Sequence, residues 1–167
     1  LFAEQGWLSM PFSEDSGGFG MGPIELSILF EEFGKALVIE PYLSTVVLSG
    51  TLIDNSSYEH KKDIIERICS GSLHISLAYA EAKNSYNYNL PSTSLSSDLL
   101  LNGTKNLVLN GGNANKLVVS CIHNEELALV IVNADKDGIS MNTFPTVDGQ
   151  SCAEITFENV SINSEDV

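Results

Sequence analysis

The stretch "SGSLHISLAY", residues 70–79, marks the point where the chain changes from helical to strand-like patterning. Before it, apolar residues recur at the three- and four-residue spacing of amphipathic helices, and Gly71 ends the last of them. After it, short apolar segments alternate with turn residues, as strands do. The sequence therefore predicts an α+β fold, with a helical N-terminal domain over residues 1–72 and an antiparallel β-sandwich or barrel-like middle domain over residues 73–167.

Three helices are predicted in the first part. One begins at Pro23, because proline suits the first helical position, and its apolar face consists of Leu26, Phe30, Phe33 and Leu37. A second is expected over residues 41–52. A third is expected to start at a capping box over residues 56–59 and to bury Ile64, Ile65 and Ile68.

Five strand regions follow the helices. They are residues 73–79, a hairpin of 99–101 and 105–109 that turns at Asn102–Gly103, then 116–122, 126–132 and 153–157. The run 127–132 is apolar on both faces, which predicts a strand in the interior of the sheet. Residues 83–98 are rich in Asn, Ser and Tyr and predict a long loop that could border a ligand.

Composition restricts the partners. With 8 Lys and Arg against 22 Asp and Glu, the net charge of −14 disfavours nucleic acid and anionic membranes. No apolar run is long enough to span a bilayer and no signal peptide precedes the first helix, so we expect a cytoplasmic protein. Three cysteines without a C-x-x-C pair predict buried thiols and no metal site. The start at Leu1 predicts a piece of a longer protein.

The glycine-rich stretch "SGGFGMG", residues 16–22, raises the question of a phosphate site at a helix start. It fails the dinucleotide fingerprint because position 23 is proline, and it lacks the lysine of a P-loop. Glu14 and Asp15 would repel a phosphate. We therefore expect a structural connection between helices.

Residue spacing alone names no active site. His60, His74 and His123 stand in polar or strand-like contexts, and none accompanies a nucleophile motif. A small acidic interaction module without a ligand therefore stays open as an interpretation.

Four stretches taken in order resemble the acyl-CoA dehydrogenase family. They are "GWLSMPFSEDSGGFGMGPIE" (6–25), "SGSLHISLAYAEAKNSYN" (70–87), "LNGTKNLVLNGGNANKLVVS" (101–120) and "TVDGQSCAEITFENVSINSEDV" (146–167). They resemble, in this order, the family's connection between helices, its entry into the β domain, its G-x-K hairpin followed by a strand, and the strand that closes the β domain. "VIEPYLSTVVLSG" (38–50) resembles the branch of pimeloyl-CoA dehydrogenase small subunits and sterol-degrading heteromeric enzymes.

The resemblance implies an FAD enzyme that dehydrogenates an acyl-CoA thioester between its α and β carbons. It implies further an electron-transfer acceptor and a homo- or hetero-oligomer. The cofactor would contact Leu77, Tyr79, Ala80, Glu81, Leu107, Val108 and Leu109. Ser85 and Tyr86 would face the CoA entrance.

Several positions depart from the family pattern. Ala80 stands where the family has a flavin-bonding threonine and Ala82 where it has a proline, while Leu107 and Leu109 replace an aromatic and a hydroxyl residue. The family's catalytic glutamate belongs to a C-terminal helical domain that we expect to be absent here, so no catalytic residue is predicted in this chain and the isolated chain is predicted to be inactive. Within the resemblance two alternatives remain: a fragment of an active enzyme, or a non-catalytic partner subunit of a heteromer.

Overall fold

A computed structural model describes residues 1–82 and 89–167. The chain divides into two compact units, a helical one at Leu1–His74 and a β-sheet one at Ile75–Val167. The predicted α+β fold is confirmed. No helix in the described part of the chain is long and apolar enough to cross a membrane.

Helices make up the first unit. After 3₁₀ turns at Trp7–Ser9 and Glu14–Ser16, the helical segments are α1 (Pro23–Ala36), a π-helix (Leu43–Gly50), α2 (Thr51–Asp54) and α3 (Lys61–Cys69). The π-helix continues directly into α2, so the second predicted helix exists with a widened first half. Three helical regions were therefore predictable from apolar spacing, whereas the change of helix type was not.

The predicted capping box at residues 56–59 is wrong. Helix α3 begins at Lys61, with His60 as its N-cap. The Ser56 hydroxyl instead donates to the Ile53 carbonyl at 2.7 Å and accepts from the Tyr58 N–H at 3.1 Å. Serine side chains compete for backbone groups in this way, and here the competition closes the turn after α2.

The glycine-rich loop packs against Phe12, which is fully buried. A Cβ on Gly18 would lie 2.2 Å from the Phe12 carbonyl oxygen, so only glycine fits at that position. At the end of the loop, Gly22 is the N-cap of α1 and its N–H donates to the Glu25 carboxylate at 2.9 Å. The predicted connection between helices is confirmed.

Seven strands form one sheet in the second unit. They are β1 (Ile75–Ala78), β2 (Ser94–Leu95), β3 (Leu100–Leu109), β4 (Lys116–His123), β5 (Glu126–Asn133), β6 (Ile139–Pro145) and β7 (Ser151–Ser161). Strand β4 pairs with β5 and, through different residues, with β1 and β2, and β2 continues the sheet through β3 and β7 to β6. Most pairs are antiparallel, but β1 and β2 run parallel to β4.

The predicted hairpin at Asn102–Gly103 is wrong, because β3 runs continuously through these residues. Gly103 has a φ of 146°, and a Cβ there would lie 2.5 Å from the Thr93 hydroxyl oxygen. Its pairing with β7 shifts register at this point. Glycine is therefore needed for close passage of Thr93 at a bulge, not for a turn.

The predicted interior position of residues 127–132 is also wrong. Among the described strands, β5 pairs with β4 alone. Leu127 at its start is 47% exposed, while Val130 and Val132 are buried in the core. The continuous apolar run therefore does not mark an interior strand. It belongs to an edge strand whose second half is buried and whose first half is exposed. Strand β6 was not predicted.

Candidate cofactor site

The two segments with cofactor residues implied by the resemblance lie side by side in the second unit. The Ala80 carbonyl accepts a hydrogen bond from the Asn106 N–H at 2.8 Å. The Asn106 side-chain oxygen accepts from the Ala82 N–H at 3.0 Å. The chain just after β1 is therefore joined to β3 by both the backbone and the side chain of Asn106, a residue that sequence reasoning missed.

The faces of these segments follow from their buried residues. Ala78 and Val108 belong to the same hydrophobic core. Because neighbouring residues of a strand point to opposite faces, Leu77 and Leu109 lie on the face turned away from that core. Tyr79, just after β1, and Leu107 are themselves exposed to solvent. Val108 is 1% exposed as a whole residue, so it lies in the core beneath this face.

Leu107 is the most exposed part of this outer face, with 59% of its surface accessible, and Tyr79 follows with 38%. The pairing of β3 with β7 is interrupted between Lys105 and Val108. Within this interruption Leu107 adopts a φ of 52°, a left-handed conformation that is unfavourable for a bulky residue. The bulge turns a large apolar side chain toward solvent, and bulges of this kind often lie beside functional sites.

A buried ion pair lies next to the end of β1 and the bulge in β3. Lys105 Nζ lies 2.8 Å from Oε1 of Glu81, and the two side chains are 0% and 6% exposed. The Glu81 carboxylate also accepts from the Ser92 N–H at 2.6 Å, the Thr93 N–H at 3.0 Å and the Thr93 hydroxyl at 2.7 Å. Glu81 therefore holds residues 92–93 and β3 against the end of β1.

The network keeps Glu81 ionised. Burial disfavours its charge, but the hydrogen bonds from Lys105, Thr93 and Ser92 outweigh that effect and lower the Glu81 pKa to about 2. Burial lowers the pKa of Lys105, and its bond to the Glu81 carboxylate opposes this. The side chain of Glu81 thus has a supporting role, and its contact with a cofactor would be indirect.

Residues 1–72 match the family model described as "Acyl-CoA dehydrogenase, N-terminal domain". FadE29, an acyl-CoA dehydrogenase of Mycobacterium tuberculosis, is 24% identical over 163 residues, which cover 92% of this chain and 42% of FadE29. The chain therefore spans less than half of this relative.

Solved structures likewise match almost all of this chain but less than half of their own length. The structure titled "Tcur3481-Tcur3483 steroid ACAD G363A variant" is 26% identical, with a TM-score of 0.85 over 95% of this chain and 44% of that one. The FAD complex of PigA is 17% identical, with a TM-score of 0.88 over 98% of this chain and 47% of PigA, and shows the fold alone. Each of these two structures thus covers both units of this chain.

The outer face fits the apolar surface of a flavin ring. Leu107 and Tyr79 present large exposed side chains from adjacent segments. The polar edge of a flavin would find fewer hydrogen-bond partners here, because the side chains of Ala80, Leu107 and Leu109 have no hydrogen-bonding group. Polar contacts at these three positions would come from the backbone.

The contact between Lys105 and Ser120 resembles a catalytic serine–lysine pair but cannot act as one. Lys105 Nζ donates to the Ser120 hydroxyl oxygen at 3.0 Å, as in a serine–lysine pair. Ser120 is 6% exposed, and the amine is protonated against the Glu81 carboxylate, so it cannot accept a proton. The contact is structural.

Ser85 and Tyr86 lie outside the described residues. In the part of the chain that is described, no group of His, Cys, Asp and Glu side chains could hold a metal ion. All three thiols are free, with Cys121 and Cys152 buried and Cys69 half-buried.

Proposed function

We propose that this chain is the N-terminal helical and middle β portion of an FAD-dependent acyl-CoA dehydrogenase. The family match of residues 1–72 supports this, as does the shared fold of both units. The observation that carries the proposal is the exposed apolar face where the end of β1 meets the β3 bulge, because the residues that the resemblance assigns to the cofactor come together there.

Each residue has a distinct part in this proposal. Leu77, Tyr79, Leu107 and Leu109 would contact the flavin ring, Ala80 would contribute its backbone, and Val108 would support Leu107 and Leu109 from the core. Glu81 fixes the end of β1. The flavin, when bound, supplies the acceptor for the hydride that leaves the β carbon of the thioester. Ser85 and Tyr86 remain the candidates for the CoA entrance. The base that removes the α proton comes from a part of the protein beyond this chain.

A flavin spectrum of the purified whole protein tests the proposal. Bound FAD absorbs in the visible range, so the ratio of flavin to protein can be read directly. We expect about one flavin per chain in a family enzyme of this kind. A colourless protein that stays apo after incubation with excess FAD would contradict the cofactor role.

A second candidate is a non-catalytic partner subunit in a heteromer. The absence of side-chain hydrogen-bonding groups at Ala80, Leu107 and Leu109 favours it, and the steroid enzyme among the similar structures is named for two proteins. Such a subunit would belong to the branch that residues 38–50 resemble, which includes sterol-degrading heteromeric enzymes and pimeloyl-CoA dehydrogenase small subunits. Mass measurement of the native complex separates the candidates, because a homomer with a full complement of flavin removes the reason for a partner.

A further inference from the structure

Two consecutive residues of β3 hold the short segment that follows β1. Lys105 binds the Glu81 carboxylate. Asn106 binds the two peptide groups that flank Glu81. Its N–H donates to the Ala80 carbonyl at 2.8 Å, and its Oδ1 accepts from the Ala82 N–H at 3.0 Å. The side chain and the backbone of Glu81 are therefore held by different residues.

Glu154 on β7 orients the Asn106 amide. The register shift between β3 and β7 sets Asn106 and Leu107 opposite the single residue Glu154, as in a β-bulge. Asn106 Nδ2 donates to Oε2 of Glu154 at 2.5 Å. Because a carboxylate oxygen accepts hydrogen bonds, it selects the NH₂ end of the amide and leaves the oxygen end for the Ala82 N–H.

The residue at position 82 makes the second of these bonds possible. The family pattern has a proline there, and a proline ring fixes its own φ and has no N–H to donate. Ala82 lacks the restraint of a ring but has the donor. The bond from Ala82 to Asn106 therefore restrains the backbone where the ring is missing.

The bonded segment adjoins the candidate cofactor face on both sides. Tyr79 precedes Ala80 and Leu107 follows Asn106, and both large side chains are exposed. Their relative placement is thus set where Asn106 joins the two segments. Hydrogen bonds at the surface contribute little to global stability, whereas a surface that is already ordered loses less free energy when it binds a ligand.

We propose that Asn106 is a positioning residue for the cofactor and that Glu154 acts through it. Asn106 holds residues 80–82 so that the Ala80 backbone keeps a fixed place beside the exposed Tyr79 and Leu107. This inference rests on the proposed function. It gives neither Asn106 nor Glu154 a contact with the reacting atoms.

The first test is titration of the whole protein with FAD. Asn106→Ala should weaken FAD binding about fivefold, the worth of one ordinary hydrogen bond, and should make the visible spectrum of the bound flavin more like that of free flavin. Asn102→Ala is the matched control and should bind FAD as the wild type does. The Asn102 amide also links β3 to β7, since it accepts from the Asn159 N–H at 2.9 Å and donates to the Asn159 side-chain oxygen at 3.3 Å.

A reversal of hydrogen-bond polarity tests the role of Glu154. Asn106→Asp sets two carboxylates against each other and should weaken FAD binding at least as much as Asn106→Ala. In Asn106→Asp/Glu154→Gln, the introduced amide donates to the introduced carboxylate, whose other oxygen still accepts from the Ala82 N–H. This double variant should regain most of the wild-type affinity and spectrum.

Hydrogen–deuterium exchange without FAD, measured by NMR, tests the restraint itself. The Ala82 amide should exchange faster in Asn106→Ala than in the wild type or in Asn102→Ala, while thermal unfolding verifies that each variant is folded. Equal FAD affinity of Asn106→Ala and Asn102→Ala, or a double variant that regains nothing, overturns the positioning role and leaves the cofactor role intact. A wild type that binds no FAD overturns both, even where the difference in exchange persists.

Discussion

Lys105 Nζ lies 2.8 Å from Glu81 Oε1 in a place where neither side chain has appreciable contact with water. The two residues are 24 positions apart in the sequence, and their contact fixes the end of β1 against the middle of β3. The exposed Leu107 follows Lys105 by two residues, so the pair supports the face proposed to contact the flavin.

Removal of one charge should destabilise the fold strongly. Lys105→Met leaves Glu81 buried without its counter-charge, and such losses cost about 3–5 kcal/mol. The double variant Glu81→Leu/Lys105→Met should lose less than the sum of the two single variants. Lys35→Met is the matched control, because Lys35 pairs with Glu31 and Glu32 on the exposed surface, where the loss is below about 1 kcal/mol. Urea unfolding measures all four, and additive losses for the buried pair would contradict the coupling.

The same pair predicts a pH dependence. The Glu81 pKa is lowered from 4.5 to about 2 in the folded protein, so the stability it contributes is complete above pH 4.5 and is lost as the pH falls toward 2. Glu81→Gln lacks this titration. Unfolding free energies between pH 5 and 2 should therefore fall more steeply for the wild type than for Glu81→Gln, and parallel curves would show that Glu81 titrates normally.

Two glycines should respond oppositely to alanine. Gly18→Ala places a Cβ 2.2 Å from the Phe12 carbonyl oxygen, so it should cost about 2 kcal/mol or more. Gly34→Ala, inside α1 and with open space around the added methyl, should stabilise the protein by about 0.5–1 kcal/mol. Chemical denaturation of both variants is the measurement. A neutral Gly18→Ala would show that the glycine-rich loop does not pack as described.

Leu107 should show a conflict between stability and binding. Its φ of 52° is strained for leucine, whereas asparagine tolerates this conformation. Leu107→Asn should therefore raise the unfolding free energy of the apoprotein by about 0.5–1 kcal/mol and weaken FAD binding. If the apoprotein loses stability instead, the exposed leucine contributes packing that outweighs its backbone strain.

The sequence predicted features that depend on nearby residues. Pro23 marks the start of α1 and Gly71 follows the end of the last helix, because proline and glycine act on the local backbone. Asn102–Gly103 has the composition of a hairpin turn, but Gly103 is required by Thr93, a residue ten positions away in the sequence that only the folded sheet brings close. A local pattern cannot distinguish these two uses of glycine.

For the candidate site, the sequence predicted the residues but not the contacts between them. Leu77, Tyr79, Ala80, Leu107 and Leu109 were named from a resemblance, and β1 and β3 bring them together. The Asn106 contacts with Ala80 and Ala82 and the Leu107 bulge were not expected, because neither has a local sequence signal.

The most direct test of the cofactor face is the affinity of the whole protein for FAD, measured by titration for the wild type, Leu107→Arg and Val147→Arg. Both side chains are exposed, but Val147 lies in the turn between β6 and β7, outside the proposed face. A bulky charged residue at position 107 should weaken FAD binding at least tenfold, while Val147→Arg should bind as the wild type does. Equal affinity of all three proteins, or no FAD binding by the wild type, would contradict the account.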